Sequence, residues 1–183
     1  MHPYTLATGA AAPDFSLIGT DGKTYSLQDF EKAKLLVIFF TCNHCPYVIN
    51  SESMIAKLEK KFARDTVAFV AINSNSPEIY KEDSFDNMIL RMRKNKFPWV
   101  YLWDETQTTA KNYGALRTPH FFVFAEKRRL IYTGRALDNP KEPDKALTND
   151  LEKALEEYLS GRPVTNPRTN PIGCNIKWKK DIS

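Results

Sequence analysis

Apolar runs and amphipathic segments alternate along most of this chain. Unbroken apolar runs predict buried strands at Leu35–Phe40, Val67–Ile72 and Trp99–Trp103. Apolar residues at helical spacing and helix-ending signals predict four helices, which span about residues 47–65, 84–95, 106–113 and 148–159. Strands that alternate with helices pair in parallel through right-handed crossovers, so this order predicts a parallel centre for the sheet.

Two hairpins complete the predicted sheet. The first joins residues 15–18 to residues 24–27 through Asp21-Gly22, a dipeptide that strongly favours a hairpin turn. The second joins Phe121–Phe124 to Leu130–Tyr132 and must be antiparallel. A mixed central sheet with helices on both faces accommodates both kinds of connection. We therefore predict an α/β fold of three layers with an N-terminal β-hairpin.

Length and charge divide the chain into a domain and a tail. The 183 residues are enough for one domain, placed at residues 1–160, with an extension at 161–183. The whole net charge of +4 lies in that extension, which carries five cations (Arg162, Arg168, Lys177, Lys179, Lys180) and one acid, Asp181. Prolines interrupt these cations, so we expect a solvated face and no binding of nucleic acid. The apolar side chains of Ile172, Ile176 and Trp178 predict that the tail docks on the domain.

The apolar pattern also limits where the protein acts. No apolar run approaches the roughly 20 residues that a membrane helix needs, so no contact with a membrane is expected. Residues 1–5 have neither the basic nor the apolar region of a signal peptide. We therefore expect a cytoplasmic protein.

The candidate chemistry lies where the first long strand passes into a helix. The motif there is Cys42-Asn43-His44-Cys45, and the chain has one further cysteine, Cys174. This number of cysteines indicates a catalytic dithiol with an accessory thiol and not a disulfide framework. Unpaired N–H groups and the helix dipole at such a junction favour a thiolate on the first cysteine. The motif therefore predicts redox chemistry.

Three segments together resemble the redoxin group of thioredoxin-fold proteins. They are Ala12-Pro13-Asp14-Phe15-Ser16-Leu17, the Cys42–Cys45 motif, and Thr118-Pro119 ahead of the late hairpin. The group includes alkyl hydroperoxide reductase/thiol-specific antioxidant proteins and thioredoxin-like thiol–disulfide oxidoreductases. The resemblance covers roughly residues 10–160 and implies a thioredoxin-like fold without an organic cofactor.

The resemblance also implies roles for individual residues. Cys42 would be the more exposed, attacking thiolate, with a pKa lowered from about 8.5 to roughly 3.5–7.5, and Cys45 would be the resolving thiol. His44 would stabilise the thiolate as a nearby cation. Pro119 would be cis, and the backbone of Thr118 would pair with the extended chain of a substrate. The partner would be a disulfide-bearing or dithiol protein or a small thiol, and electrons would come from another dithiol protein or a small thiol.

The sequence departs from the resemblance in two places, and the second keeps a peroxidase activity open only as an alternative. The strand Leu35–Phe40 lacks the buried acid that thioredoxin carries before its dithiol, and neither Cys42 nor Cys45 lies in the P-x-x-x-T-x-x-C pattern of peroxiredoxins. Arg117, however, resembles in position the arginine that peroxiredoxins set near their thiolate. In a thiol-dependent peroxidase, Cys174 would be an extra resolving thiol.

The role of Cys174 and the possibility of a metal remain open in the sequence. If the tail docks near the dithiol, Cys174 is a third redox partner, for example in a disulfide with Cys42; otherwise it is a small buried apolar residue. Cys42 and Cys45 with His44 or His120 could bind Cu(I) or Zn(II). Strand alternation points His120 away from the face that Thr118 shows. We therefore predict a thiol–disulfide oxidoreductase and assign no metal ligand.

Overall fold

A computed structural model describes residues 5–63 and 66–180 of the chain. Its strands are β1 (Leu17–Gly19), β2 (Thr24–Tyr25), β3 (Leu35–Thr41), β4 (Val67–Asn73), β5 (Val100–Trp103), β6 (Arg117–Thr118), β7 (His120–Phe124), β8 (Leu130–Gly134) and β9 (Cys174–Asn175). Its α-helices are α1 (Pro46–Phe62), α2 (Phe85–Asn95), α3 (Thr108–Tyr113) and α4 (Asp150–Leu159).

Seven of the strands form one mixed sheet, as the sequence predicts. Their order is β2-β1-β5-β4-β3-β7-β8. Strands β3, β4 and β5 pair in parallel, whereas β1 with β2, β1 with β5, β3 with β7 and β7 with β8 pair antiparallel. Both predicted hairpins are present, so the α/β fold with an N-terminal β-hairpin is confirmed.

The unbroken apolar sequence of β3 arises because the sheet is covered on both faces. Alternate residues of β3 contribute to two different cores. Leu35, Val37 and Phe39 pack with residues of α1, α2 and α4, whereas Leu36, Ile38 and Phe40 pack with residues of α3 and the tail. The result is the predicted arrangement of three layers.

The predicted helices are found with shifted ends. The first begins at Pro46 and its last helical residue is Phe62, whereas its predicted end near Asp65 lies outside the described residues. Ser84 caps α2 as predicted, because its hydroxyl accepts the N–H of Asn87 at 3.3 Å. None of the helices among the described residues is both long and apolar enough to cross a bilayer.

The described part of the tail, residues 161–180, lies along the domain. The N–H of Ser76 donates to the Lys177 carbonyl at 2.8 Å, and the N–H of Lys177 donates to Asn75 Oδ1 at 2.9 Å. Ile176 is buried in the core that contains α3. Just before it, β9 pairs antiparallel with β6, with Thr118 opposite Cys174. This two-stranded sheet is absent from the sequence prediction, and it brings the third cysteine to the dithiol.

Candidate active site

The two cysteines of the motif are both buried at the end of β3. Cys42 follows β3 directly and is 1% exposed, and Cys45 is 0% exposed. Cys45, not Cys42, is the residue that caps the N-terminus of α1, with Pro46 in the first turn. The expectation that Cys42 is an exposed thiol at the helix end is therefore wrong. The loop between strand and helix places Cys45 there instead.

Thr118 contacts all three cysteines. Its hydroxyl oxygen lies 3.4 Å from Cys42 Sγ, and its carbonyl oxygen lies 3.2 Å from Cys45 Sγ. Its backbone pairs with Cys174 across β6 and β9. The bond between Thr118 and Pro119 is cis, as the resemblance implied. The backbone position expected to receive a substrate strand is thus occupied by the chain's own tail.

Cys174 lies against the second cysteine of the motif. Its Sγ is 2.8 Å from Cys45 Sγ. From the sequence alone, Cys174 could be either a redox partner or a packing residue. A disulfide with Cys42 was the example given for the first alternative. The sulfur contact is instead with Cys45, so Cys45 has two thiol neighbours.

The electrostatics of these thiols favour a thiolate on Cys45. A hydrogen bond from the Cys42 thiol lowers the pKa of Cys45 to about 5, against the opposing effect of burial, and hydrogen bonds from Cys174 and the backbone of Val48 act in the same direction. The same contact with Cys45, together with burial and the charge of Asp83, raises the pKa of Cys42. These directions are the reverse of the predicted thiolate on Cys42. Their causes are the contact between the two thiols, the burial of Cys42 and the charge of Asp83.

We expect a single thiolate to appear on acid-to-neutral titration. Ultraviolet absorbance of the reduced protein should rise by one thiolate per chain around pH 5, because Cys45 ionises there while Cys42 stays protonated. Burial and the contact with Cys45 raise the pKa of Cys174 to about 11, so Cys174 should not contribute at neutral pH. The step should disappear in Cys45→Ser and move to higher pH in Cys174→Ala, which removes a hydrogen-bond donor to Cys45. Loss of the step in Cys42→Ser with its retention in Cys45→Ser would contradict this assignment.

The buried acid that β3 lacks is supplied by another element. Asp83, which is 0% exposed, ends the 3-10 turn Lys81–Asp83 before α2. Its carboxylate accepts the N–H of Asn43 at 2.7 Å and the side-chain amide of Asn75 at 2.8 Å. Asp83 was not predicted as a site residue, because an acid just before a helix is typical of an exposed first turn. Only the fold brings it beside the dithiol.

His44 pairs with the same carboxylate. Its Nδ1 lies 2.6 Å from Asp83 Oδ2, and its ring stacks on Tyr80 with 4.0 Å between the ring centroids. These contacts fix the imidazole, and the carboxylate offsets any positive charge on it. The suggested action of His44 on the Cys42 thiolate stays a prediction.

Arg117 and His120 lie on either side of the Thr118-Pro119 pair. Arg117 lies in β6 opposite Asn175, and its charge acts on Cys174, whose pKa it tends to lower. His120 is buried in β7, where its Nδ1 accepts the N–H of Leu116 at 3.2 Å and its Nε2 lies 3.1 Å from the Thr133 hydroxyl. Burial lowers the pKa of His120 to about 3, so the ring is neutral. Both ring nitrogens are engaged, which argues against His120 as a metal ligand.

One group of side chains near the dithiol has the composition of a metal site. Donor atoms of Cys42, His44 and Asp83 all lie within 4.8 Å of one another. Zinc accepts this combination of ligands. However, Asp83 Oδ2 already bonds to both His44 and Asn75. The residues fit a metal only if the contact between His44 and Asp83 opens.

The fold and its buried thiol cluster define a thioredoxin-like protein. The thioredoxin domain of a thiol-disulfide oxidoreductase from Bacteroides vulgatus has the same fold, with a TM-score of 0.64 and 18% identity over 85% of this chain and 99% of that one. The family described as Redoxin matches residues 7–151, and the chain belongs to that family.

Two further comparisons show how far the similarity extends. An uncharacterized conserved protein from Geobacillus kaustophilus is 38% identical, with a TM-score of 0.88 over 98% of this chain and 94% of that one. A protein named putative peroxiredoxin Q, chloroplastic, from Oryza sativa subsp. indica is 25% identical over 109 residues, which are 60% of this chain and 46% of the relative. The chain thus spans about half the length of the curated relatives it matches.

Proposed function

We propose that this protein is a thiol–disulfide oxidoreductase that cycles Cys42 and Cys45 between a dithiol and a disulfide. The observation that carries the proposal is the position of Cys45, which caps the N-terminus of α1, packs with Cys42 and has its Sγ 2.8 Å from Cys174 Sγ. Its partner would be a disulfide-bearing or dithiol protein, or a small thiol. We also propose a cytoplasmic location, where a disulfide of this kind is usually catalytic or redox-sensing.

The roles of the two cysteines are the reverse of those that the resemblance implied. Cys45, the thiolate, attacks one sulfur of a disulfide and forms a new disulfide with it, while the other sulfur of the attacked disulfide leaves as a thiolate. Cys42 then loses its proton and attacks Cys45 Sγ, which releases the first sulfur and leaves a Cys42–Cys45 disulfide. The high pKa of Cys42 keeps it protonated until Cys45 has formed its disulfide. Thr118 is in contact with both sulfurs through its hydroxyl and its carbonyl.

Insulin reduction with dithiothreitol as electron donor tests this function. We expect the wild-type protein to accelerate the reaction, and peptide mapping after oxidation by oxidised glutathione to find a disulfide within the motif. Protein whose thiols have been blocked with iodoacetamide is the matched control and should be inactive. The proposal would be overturned if all three cysteines stayed reduced and the protein did not accelerate insulin reduction.

A thiol-dependent peroxidase is the second candidate function. It is favoured by similarity to proteins named peroxiredoxin Q and by the Thr118 hydroxyl 3.4 Å from Cys42 Sγ, with Arg117 adjacent. The raised pKa of Cys42 argues against Cys42 as a peroxide-reactive thiolate. Consumption of hydrogen peroxide with a thiol donor, at a rate that depends on Cys174 as resolving thiol, would support this candidate.

Binding of Cu(I) or Zn(II) is the third candidate and rests on the cluster of Cys42, His44 and Asp83. Metal analysis of protein purified without added thiol tests it directly. Stoichiometric metal that is lost in Cys42→Ser would support this candidate. Cys174→Ser is the control, because that residue lies outside the cluster.

A further inference from the structure

The tail places a thiol where a substrate cysteine would have to lie. Thr118 of β6 pairs with Cys174 of β9, in the antiparallel manner of a strand added to a sheet edge. Cys174 Sγ is then 2.8 Å from Cys45 Sγ, closer than two unbonded sulfurs normally lie and within a small movement of a disulfide bond of about 2.05 Å. The tail therefore presents its own cysteine to the dithiol as a substrate strand would.

This placement is fixed on both sides of Cys174. On one side Gly173 packs against Thr118 so closely that a Cβ there would overlap the Thr118 carbonyl oxygen. On the other side Ile176 is 4% exposed, and the Lys177 carbonyl accepts both the N–H of Ser76 and, at 2.9 Å, the side-chain amide of Gln107. The cysteine is thus held at the site by contacts that do not involve its sulfur.

Exposure differs among the three thiols. Cys42 and Cys45 are buried, whereas Cys174 is partly exposed. A partner cannot reach the motif with the tail in place, but it can reach Cys174. Resting on the proposed function, we infer that Cys174 is the thiol through which this buried dithiol exchanges with thiols outside the protein.

The route is a sequence of balanced exchanges. Starting from a Cys42–Cys45 disulfide, the Cys174 thiolate attacks Cys45 Sγ, which forms a Cys45–Cys174 disulfide and releases Cys42, which takes up a proton. A partner thiolate then attacks Sγ of the partly exposed Cys174, which forms a mixed disulfide and releases Cys45 as a thiolate. A second partner thiolate attacks the partner's sulfur in this mixed disulfide. This attack forms the partner's disulfide and releases Cys174 as a thiolate. Two electrons pass from the partner dithiol to the original disulfide, and the same steps run in reverse.

The acidities of Cys45 and Cys174 agree with the partner's attack on Cys174. In a disulfide the thiol of lower pKa leaves faster. In the Cys45–Cys174 disulfide, Cys45 is that thiol, with a pKa lowered to about 5 against about 11 for Cys174. Attack by a partner is therefore directed to Cys174, which is also the sulfur that a partner can reach.

A trapping experiment identifies the exchanging thiol. The variant Cys45→Ser, treated with oxidised glutathione, cannot resolve a mixed disulfide at Cys174. Peptide mapping should therefore find glutathione on Cys174 at least about tenfold more often than on Cys42. Glutathione found mainly on Cys42 would overturn the inference and leave the proposed function standing.

Kinetics of the full-length protein provide an independent test. Cys174→Ser should slow reduction of the oxidised protein by glutathione at least about tenfold, whereas Asn175→Ser, at the exposed neighbouring position, should not. A wild-type rate in Cys174→Ser would overturn the inference. A wild-type protein that forms no disulfide within the motif would instead refute the proposed function.

Gly173→Ala separates an exchanging tail from one that only covers the dithiol. The added methyl group should push β9 away from Thr118 while leaving Cys174 in the chain. We expect exchange to slow by at least about fivefold and the yield of the Cys45–Cys174 disulfide in Cys42→Ser protein to fall. Faster exchange in Gly173→Ala would show that the tail merely shields Cys42 and Cys45, and would overturn the inference.

Discussion

Replacing Cys45 with serine should lower the rate of disulfide exchange by at least about a thousandfold, the scale expected when the attacking group of an enzyme is removed. Cys45 is in contact with both other thiols. Both disulfides that the proposed route forms within the chain include it. Cys42→Ser, by contrast, leaves the adjacent Cys45 and Cys174 sulfurs, which can still form a disulfide. We therefore expect Cys45→Ser to be the most damaging of the three cysteine substitutions.

Rates of exchange with glutathione, measured for the wild type and the three Cys→Ser variants, test this order. Far-ultraviolet circular dichroism provides the control for folding, because a serine at position 45 can still cap α1. Retention of more than about a tenth of the wild-type rate in Cys45→Ser would contradict a central role for this sulfur. A Cys42→Ser variant slower than Cys45→Ser would restore Cys42 as the attacking thiol.

The central sheet could be predicted because its signals are local. The apolar run of β3 is long enough to mark a strand buried on both faces, and Asp21-Gly22 marks a hairpin turn within a few residues. The pairing of β9 with β6 has no such signal. It joins two-residue strands more than fifty positions apart, and contacts on both sides of Cys174 decide it. The apolar residues of the tail predict docking but not the strand on which the tail docks.

The candidate site also has features that the sequence predicts and features that only the fold shows. The motif and the Thr118-Pro119 pair are visible in the sequence, and the fold brings them together. The pKa shifts of the thiols are not visible in the sequence, because the contact between Cys42 and Cys45 and the groups around it form only in the fold. Cys45 is also affected by Cys174 from the tail, and Cys42 by Asp83 from the turn before α2. Spacing along the chain therefore identifies the dithiol but does not decide which of its two thiols ionises first.

Asp83→Ala should destabilise the protein by about 3 kcal/mol or more. The carboxylate accepts hydrogen bonds from Asn43, His44 and Asn75 in a buried position. Removing it leaves several buried donors without acceptors, at about 1–3 kcal/mol for each. For a chain of this size the melting temperature should fall by about 6–12 °C. Asp83→Asn retains one acceptor oxygen and should cost less, and thermal unfolding of the reduced proteins measures both changes.

If Asp83 also acts on the chemistry of the site, its substitution should have a second effect, on the pKa of Cys42. The charge of Asp83 raises the pKa of Cys42, so its removal in Asp83→Asn should lower that pKa and allow Cys42 to ionise more readily. Titration of the thiolates in Cys45→Ser protein, with and without Asp83→Asn, isolates this effect from the contact between the two cysteines. Asp86→Ala, at an exposed acid in the first turn of α2, is the control and should change stability by less than about 1 kcal/mol. Destabilisation by Asp83→Asn with no change in the titration of Cys42 would limit Asp83 to a structural role.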